Sequence, residues 1–263
     1  MLSGSGSGTE ALAVVLPTFQ EVSTIEEVIG RAVRALDPLC IDYVLIVVDD
    51  GSKDGTADIV RSMLPYLPQL RLIERSHSRG LSGAILDGWA LTSASVVGVI
   101  DVDLQHPPEL LPELWKAVEN GSDLAVASRY ALGATTGRWR SLRKMISSLA
   151  VLLCRPLQRR NLIVKDPMSG FFMARRSVVK GLPAPQRSGF KLLLEILVRG
   201  EFGKVQEIPF CFGLRQGGQS KAGFQVLIDY LTLLIHLYRL KLTRTGRLLR
   251  RSCRDEQTAA ARQ

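Results

Sequence analysis

Along the first 110 residues, short apolar runs alternate with segments whose apolar residues recur every three or four positions. Ala11–Leu16, Tyr43–Val48, Leu70–Glu74 and Val96–Ile100 have strand length and are rich in Val, Leu and Ile. The last of these is apolar at consecutive positions, as a strand buried on both faces is. Between them, Ile25, Val28, Ile29, Ala32, Val33 and Leu36 keep helical spacing, and Ser23 with Glu26 has the spacing of a capping box. Ala57, Val60 and Leu64 predict a second helix, and Leu81, Ala84, Ile85 and Gly88 a third. A fourth begins near Pro107 or Pro108. Strand and helix in alternation predict right-handed crossovers and a parallel sheet. The loops after Leu16, Val48 and Ile100 then share the carboxyl edge, where open α/β sheets bind ligands.

Each of those loops carries a carboxylate, and the loop after Ile100 carries two, Asp101 and Asp103. Residues i and i+2 of a strand point to one side, so the pair repels unless a cation lies between. Gln105 adds a neutral oxygen, making an all-oxygen set suited to Mg²⁺ or Mn²⁺ and not to zinc. The plainer alternative is that Asp103 caps the next helix and Asp101 is solvated. A GxGxxG dinucleotide loop and a Gly-Lys-Ser/Thr phosphate loop are both missing from the sequence.

Composition adds a partner. The 263 residues carry a net charge of +9 at 22% charged residues. Leu124–Lys165 holds nine Arg or Lys and no acid, and Arg239–Arg254 seven more, again with none. Such blocks imply an anionic surface. They lack the interleaved aromatics of nucleic-acid binding, so the expected surface is lipid, with a basic nucleic-acid-binding protein as the alternative from another class. Cys40, Cys154, Cys211 and Cys253 are far apart with no CxxC pair, which suits a reducing compartment and argues against a disulfide framework. Residues 1–10, Gly/Ser-rich, read as a flexible tail lacking the features of a signal peptide.

PTFQE (17–21), VVDDGSKDGT (47–56), DVDLQHP (101–107), ASRY (127–130), DPMSGFF (166–172) and RQGGQSKAG (215–223) stand in register. In order and spacing the chain resembles the family 2 glycosyltransferases, and within them the dolichyl- or polyprenyl-phosphate mannose synthases, over about Ala11 to Tyr238. The resemblance implies a glycosyltransferase type A fold: a Rossmann-like, mostly parallel sheet with helices on both faces, plus amphipathic interfacial helices. Residues 11–222 would form the catalytic domain, with 138–160 as an interfacial region. A C-terminal amphipathic helix (223–242) and a basic tail (243–263) would follow.

For the site, the resemblance makes Asp103 and Gln105 the firmest metal ligands, with Asp101 on the metal, the ribose or a bridging water. Pro17, Phe19 and Glu21 would line the base and ribose pocket, Val48 and Asp50 read the base, and Val102 join the donor-binding set. Similar proteins carry Tyr where this chain has Phe19 and Asn where it has Gln20. Arg129, Arg215 and Lys221 match phosphate-contacting positions. Asp103, Arg129 and Asp166 are the expected catalytic residues. Asp166, Ser169 and Glu195 are candidate orienters of acceptor or sugar, and the alternative for Glu195 is a buried, paired carboxylate. His106, beside the acidic set, reads as a neighbour of the ligands or a helix cap. No Ser/His/Asp or Cys/His arrangement offers a nucleophile.

The implied reaction is metal-dependent, inverting transfer of a hexose, mannose from GDP-mannose, to polyprenyl or dolichyl phosphate at the cytoplasmic face of a membrane. UDP-glucose is the alternative donor, and a small membrane-anchoring subunit a further partner. Two segments fit the membrane surface. Leu142, Met145, Ile146, Leu149, Leu152 and Leu153 form an apolar stripe beside Arg143, Lys144, Arg155, Arg159 and Arg160. Phe224–Leu242 is apolar except for one stripe, Gln225, Asp229, Thr232, His236 and Arg239, which predicts a helix lying on a surface instead of crossing alone. The alternative for each is an ordinary amphipathic helix packed on the domain.

Overall fold

A computed structural model describes residues 10–76, 80–132, 141–159 (side chains of 141–147 excepted), 161–180, 191–211, 213 and 228–243. Its strands are β1 (Leu12–Thr18), β2 (Tyr43–Asp49), β3 (Leu70–Glu74), β4 (Val96–Val99), β5 (Leu124–Ser128), β6 (Phe172–Arg175) and β7 (Val205–Pro209). They form one sheet in the order β3-β2-β1-β4-β6-β5-β7. Every pairing is parallel except those of β6, which runs antiparallel to both β4 and β5. The helices are α1 (Ile25–Leu36), α2 (Thr56–Met63), α3 (Gly80–Ala90), α4 (Leu111–Glu119), α5 (Ser141–Cys154), α6 (Arg176–Val179), α7 (Leu192–Arg199) and α8 (228–243).

Period-two alternation divides each central strand between two cores. Leu12, Val14 and Leu16 of β1, with Leu45 and Val47 of β2, meet α1 and α4 through Ile25, Val28, Ile29, Leu111 and Leu114. Ala13, Val15, Ile46 and Val48 face the other way, toward Ile85 and Trp89 of α3 and Leu193 and Ile196 of α7. This two-sided burial is why the strands read as continuous apolar runs. Gly88 lets α3 sit close: a Cβ there would lie 2.6 Å from Val15 Cγ2.

A third cluster joins α5, α7 and α8 through Cys154, Leu157, Leu194, Leu233, Leu234 and Leu237. The Tyr230 and Tyr238 hydroxyls donate to the carbonyls of Ala150 (2.6 Å) and Leu153 (2.8 Å), fastening α8 along α5. The C-terminal segment therefore packs on the domain, and its polar stripe is not what decides its seat. Among the described residues, no helix is long and apolar enough to cross a membrane.

Two local expectations need correction. The capping box does not form: α1 starts at Ile25, which makes Glu26 the second helical residue and takes Ser23 and Glu26 out of register. The Glu21 carbonyl instead accepts the amides of Thr24 (3.1 Å) and Ile25 (3.0 Å). The helix expected at Pro107 or Pro108 opens as a 3₁₀ turn over Pro108–Leu110 before α4 begins at Leu111.

Candidate active site

The loops after β1 and β2 are stitched together at the carboxyl edge. Asp49, nearly inaccessible, accepts from Ser52 N (2.8 Å), Ser52 Oγ (2.5 Å) and Thr18 Oγ1 (3.2 Å). Gln20 N donates to Ser52 Oγ (2.8 Å), Glu21 N to Thr56 Oγ1 (3.0 Å) and Val22 N to Asp54 Oδ2 (3.2 Å). Gln20 itself sits in the left-handed region at φ 58°. This leaves Phe19 exposed at the rim, where a ring can stack on a base, and Glu21 half-buried behind it. Pro17, Val48 and Val102 are buried, with Val48 over Gly88 and Val102 in the core against α1 and α4. The Val48 and Val102 side chains are part of the two cores.

Asp50 is held by Arg75, whose Nη1 donates to Asp50 Oδ1 at 2.8 Å and whose Nε lies 3.3 Å from Asp87 Oδ2. Arg75 is buried, and its Nη2 has no partner among the described residues. The sequence reading missed it, since one Arg after a strand carries no periodic or motif signal.

Past β4 the chain turns tightly. Asp103 Oδ1 accepts Gln105 N (3.1 Å), and Leu104 between them is left-handed at φ 59°. Asp101 abuts Gly170, where a Cβ would come within 2.1 Å of Asp101 Oδ2, so only glycine leaves the carboxylate its place. Burial pushes the Asp101 carboxyl up to about 7, and the neighbouring Asp103 adds to the rise, although 31% of the side-chain surface stays accessible. A divalent ion would relieve that charge repulsion. Gln105 Nε2 donates to the Gly213 carbonyl (3.3 Å), which leaves Oε1 as the atom that could ligate a cation. Among the described residues no group of three His, Cys, Asp or Glu gathers. A cation here would rest on two carboxylates, one amide oxygen and oxygens of the bound substrate, as a hard ion tolerates. The residues fit Mg²⁺ or Mn²⁺.

His106 is enclosed by the rings of Phe171 and Phe210, at centroid distances of 5.7 and 5.5 Å. Burial, then the Arg129 charge, lowers its pKa to about 3, so it is neutral at physiological pH. Its Nδ1 stands 3.5 Å from Asp101 Oδ2, on the flank of the acidic turn.

Arg129 and Asp166, far apart in sequence, form one unit. Asp166 is fully buried and accepts from Arg129 Nε (2.8 Å), Nη2 (2.8 Å) and backbone N (3.0 Å). Glu207 Oε1 accepts Asp166 N (3.2 Å), fixing the loop from the β7 side. Lys191, just before α7, interacts electrostatically with the same groups. Burial, then Arg129, lowers its pKa, while Asp101 and Asp166 oppose the shift. The sequence reading passed over Lys191 because a single Lys ahead of an apolar helix has no pattern.

Two expected orienters turn out structural. Ser169 Oγ bridges the Phe171 amide and carbonyl, both at 3.2 Å. Glu195 pairs with Arg199 one turn on (2.8 Å), so the paired-carboxylate alternative is the right one. Arg159 is likewise engaged, donating to the carbonyls of Gly200 (2.8 Å) and Phe202 (3.4 Å). Arg215 and Lys221 lie outside the described residues.

Residues 13–182 match glycosyl transferase family 2, and the chain belongs to that family: it is a glycosyltransferase. It is 40% identical over 229 residues to the dolichol-phosphate mannosyltransferase of Pyrococcus furiosus, covering 87% of this chain and 63% of that protein. The chain thus spans less than two thirds of that relative's length. It is 34% identical over 238 residues to the dolichol-phosphate mannosyltransferase of Saccharomyces cerevisiae, covering 87% of each. The fold is shared with a mannosyltransferase from Pyrobaculum calidifontis solved in complex with GDP-Man and Mn²⁺, at a TM-score of 0.58 and 18% identity over 88% of this chain and 65% of that one. It is also shared with the Mycobacterium tuberculosis glucosyl-3-phosphoglycerate synthase, solved with Mn²⁺, UDP and its product, at 0.59 and 24% over 90% and 80%.

Proposed function

We propose that this chain transfers mannose from GDP-mannose to a polyprenyl or dolichyl phosphate, with inversion, at the cytoplasmic face of a membrane. The observation that carries this reading is the acidic turn. Asp101, Asp103 and Gln105 share the one turn after β4, where Asp103 Oδ1 accepts Gln105 N, the Asp103 charge bears on Asp101, and Gly170 leaves room for Asp101. The names of the relatives, at 34–40% identity, supply the sugar and acceptor.

Asp101, Asp103 and Gln105 would hold Mg²⁺ or Mn²⁺, which supplies charge neutralisation of the departing diphosphate. Phe19 stacks the base, Asp50 accepts from its N–H groups, and Glu21 faces the ribose. Arg129, oriented by Asp166, donates to a phosphate oxygen in a planar fork. The acceptor needs no base. A phosphate monoester has a second pKa of about 6, so near neutrality its oxygen is already the nucleophile. That oxygen attacks the anomeric carbon as the bond to GDP breaks on the opposite side. Positioning and electrostatics then carry the rate.

The surface built by α5 and α8 is the proposed lipid contact. Leu149, Leu152 and Leu153 of α5, with Ile228, Leu231, Ile235 and Leu242 of α8, are exposed apolar residues, and Arg155 and Arg239 lie exposed nearby in the chain. Anionic headgroups add roughly 1 kcal/mol of attraction per cation near the surface.

Incubation with polyprenyl phosphate, Mn²⁺ and either GDP-mannose or UDP-glucose tests the donor. Consumption of GDP-mannose alone is expected, and consumption of UDP-glucose alone would replace mannose in this reading. Consumption of neither would overturn the lipid-phosphate acceptor. Flotation with anionic liposomes tests the surface, and binding to duplex DNA with no flotation would defeat it.

A further inference from the structure

We propose that Gly213 is a positioning residue for Gln105, turning that side chain so that its oxygen and not its nitrogen meets the bound cation. The inference rests on the reading of the acidic turn as a cation site. Glutamine carries an oxygen and a nitrogen at one carbon, and only the oxygen can ligate a hard ion. Something must choose between two orientations that are sterically alike.

The choice falls to Gly213 through a two-way contact. Its amide donates to the Gln105 main-chain carbonyl (3.2 Å), and its own carbonyl accepts Gln105 Nε2 (3.3 Å). In the flipped orientation Oε1 would face that carbonyl, oxygen against oxygen. The left-handed Leu104, at φ 59°, is what turns residue 105 back toward Gly213. A buried Leu is not a residue that takes this conformation at no cost, and its persistence implies that the surroundings hold it. The approach is close: a Cβ on residue 213 would lie 3.2 Å from the Leu104 carbonyl oxygen, so a neighbour must give by a few tenths of an ångström, and 3.7 Å from Gln105 Cα. Just before it, Phe210 packs on His106, so Phe210 and Gly213 both lie against the acidic turn. Partners that orient a metal ligand typically change metal affinity about 10- to 100-fold when removed.

The test is Mn²⁺ binding to the whole protein with GDP present, followed by the loss of the free-ion EPR signal, with thermal melting beside it. Asp103→Ala is the control for the site. If the wild type binds no Mn²⁺, or Asp103→Ala binds as well as it, the cation-site reading falls and this inference with it. Given a sound control, Gly213→Val is expected to bind Mn²⁺ at least about tenfold more weakly while melting near the wild type. Gln105→Glu is the sharper variant: a carboxylate presents an oxygen in either orientation, so no choice is left for Gly213 to make. Gly213→Val should therefore weaken Mn²⁺ binding far less in the Gln105→Glu background than in the wild type. The double variant Gln105→Ala/Gly213→Val should be no weaker than Gln105→Ala alone. Wild-type affinity in Gly213→Val, or an equal loss from Gly213→Val in the Gln105→Glu background, would overturn the proposal. If Gly213→Val fails to fold, Gly213→Ala, whose Cβ needs only a small shift, takes its place with a smaller loss expected.

Discussion

Asp166→Ala breaks the buried pair with Arg129 and should be the most costly single change near the site. Asp166 is fully buried, and the Arg129 side chain keeps 14% of its surface accessible. The substitution removes both guanidinium bonds and the backbone bond, leaving a cation largely enclosed without its counter-charge. Breaking a buried pair from one side costs about 3–5 kcal/mol. Because water reaches part of Arg129, the lower end applies, about 3 kcal/mol. At about 2–4 °C per kcal/mol for a domain of this size, the melting temperature should fall by about 6–12 °C. The pair Arg129→Met/Asp166→Leu removes both charges together and should recover most of that loss, since apolar replacements of buried ion pairs are often neutral. Under the proposed function it should stay inactive, because no guanidinium reaches the phosphate. Calorimetry and donor turnover on the three proteins separate the two roles. A melting point for Asp166→Ala within about 2 °C of the wild type would refute the structural argument. Turnover by the apolar pair would refute the role given to Arg129.

Other changes test other parts. Gly170→Ala places a methyl where Asp101 Oδ2 now sits, so Mn²⁺ binding and turnover should be lost while circular dichroism stays native; retained binding would mean that Asp101 is not part of the cradle. Gly88→Ala forces a Cβ to 2.6 Å from Val15 in a packed core and should cost about 1–3 kcal/mol in urea unfolding, with the core at fault and the donor site intact. Burial raises the Asp54 carboxyl, but hydrogen bonds from Thr56 Oγ1, Thr56 N and Val22 N outweigh it and hold the group below its usual value. Its stabilisation is therefore present above the unfolded-state value of about 3.9 and fades as pH falls through the lower folded value. The gap in urea midpoint between wild type and Asp54→Asn should be open at pH 7 and close on acidification below about pH 4. A gap independent of pH would contradict the assignment.

The half of the sheet from β1 to β4 was legible because β1, β2 and β4 are buried on both faces and read as apolar runs, and strand and helix alternate throughout, although β3 at the edge is only partly covered. β6 was not: Phe172–Arg175 is four residues long, and its antiparallel place between β4 and β5 has no local signature. In the site, Asp101, Asp103 and Gln105 were readable from their spacing after an apolar strand, but β4 ends at Val99 and a tight turn with a left-handed Leu104, not the strand geometry expected, is what places them. The pairing of Arg129 with Asp166, the approach of Gly170 to Asp101 and the charge coupling of Lys191 to them are tertiary facts. Nothing in the stretch between Arg129 and Asp166, 37 residues apart, encodes their contact. Periodicity identified α5 and α8 as amphipathic but could not say which apolar sector faces inward. Both carry a buried edge and an exposed one, as Leu233 and Ile235 show two residues apart.

The antiparallel β6 also sets an order of assembly. β4 leaves the ribosome with its partner β1 already made, yet its other neighbour begins only at Phe172, and Gly170 arrives just before that strand. Because domains fold largely as units while synthesis proceeds at about 5–20 residues per second, the nascent chain must wait several seconds with Asp101 facing an unfilled flank. A fragment stopping short of Gly170 would hold Asp101, Asp103 and Asp166 without the glycine that Asp101 packs against and without Lys191, Glu207 and Gly213, so the acidic turn gains its full surroundings only late in the birth of the molecule.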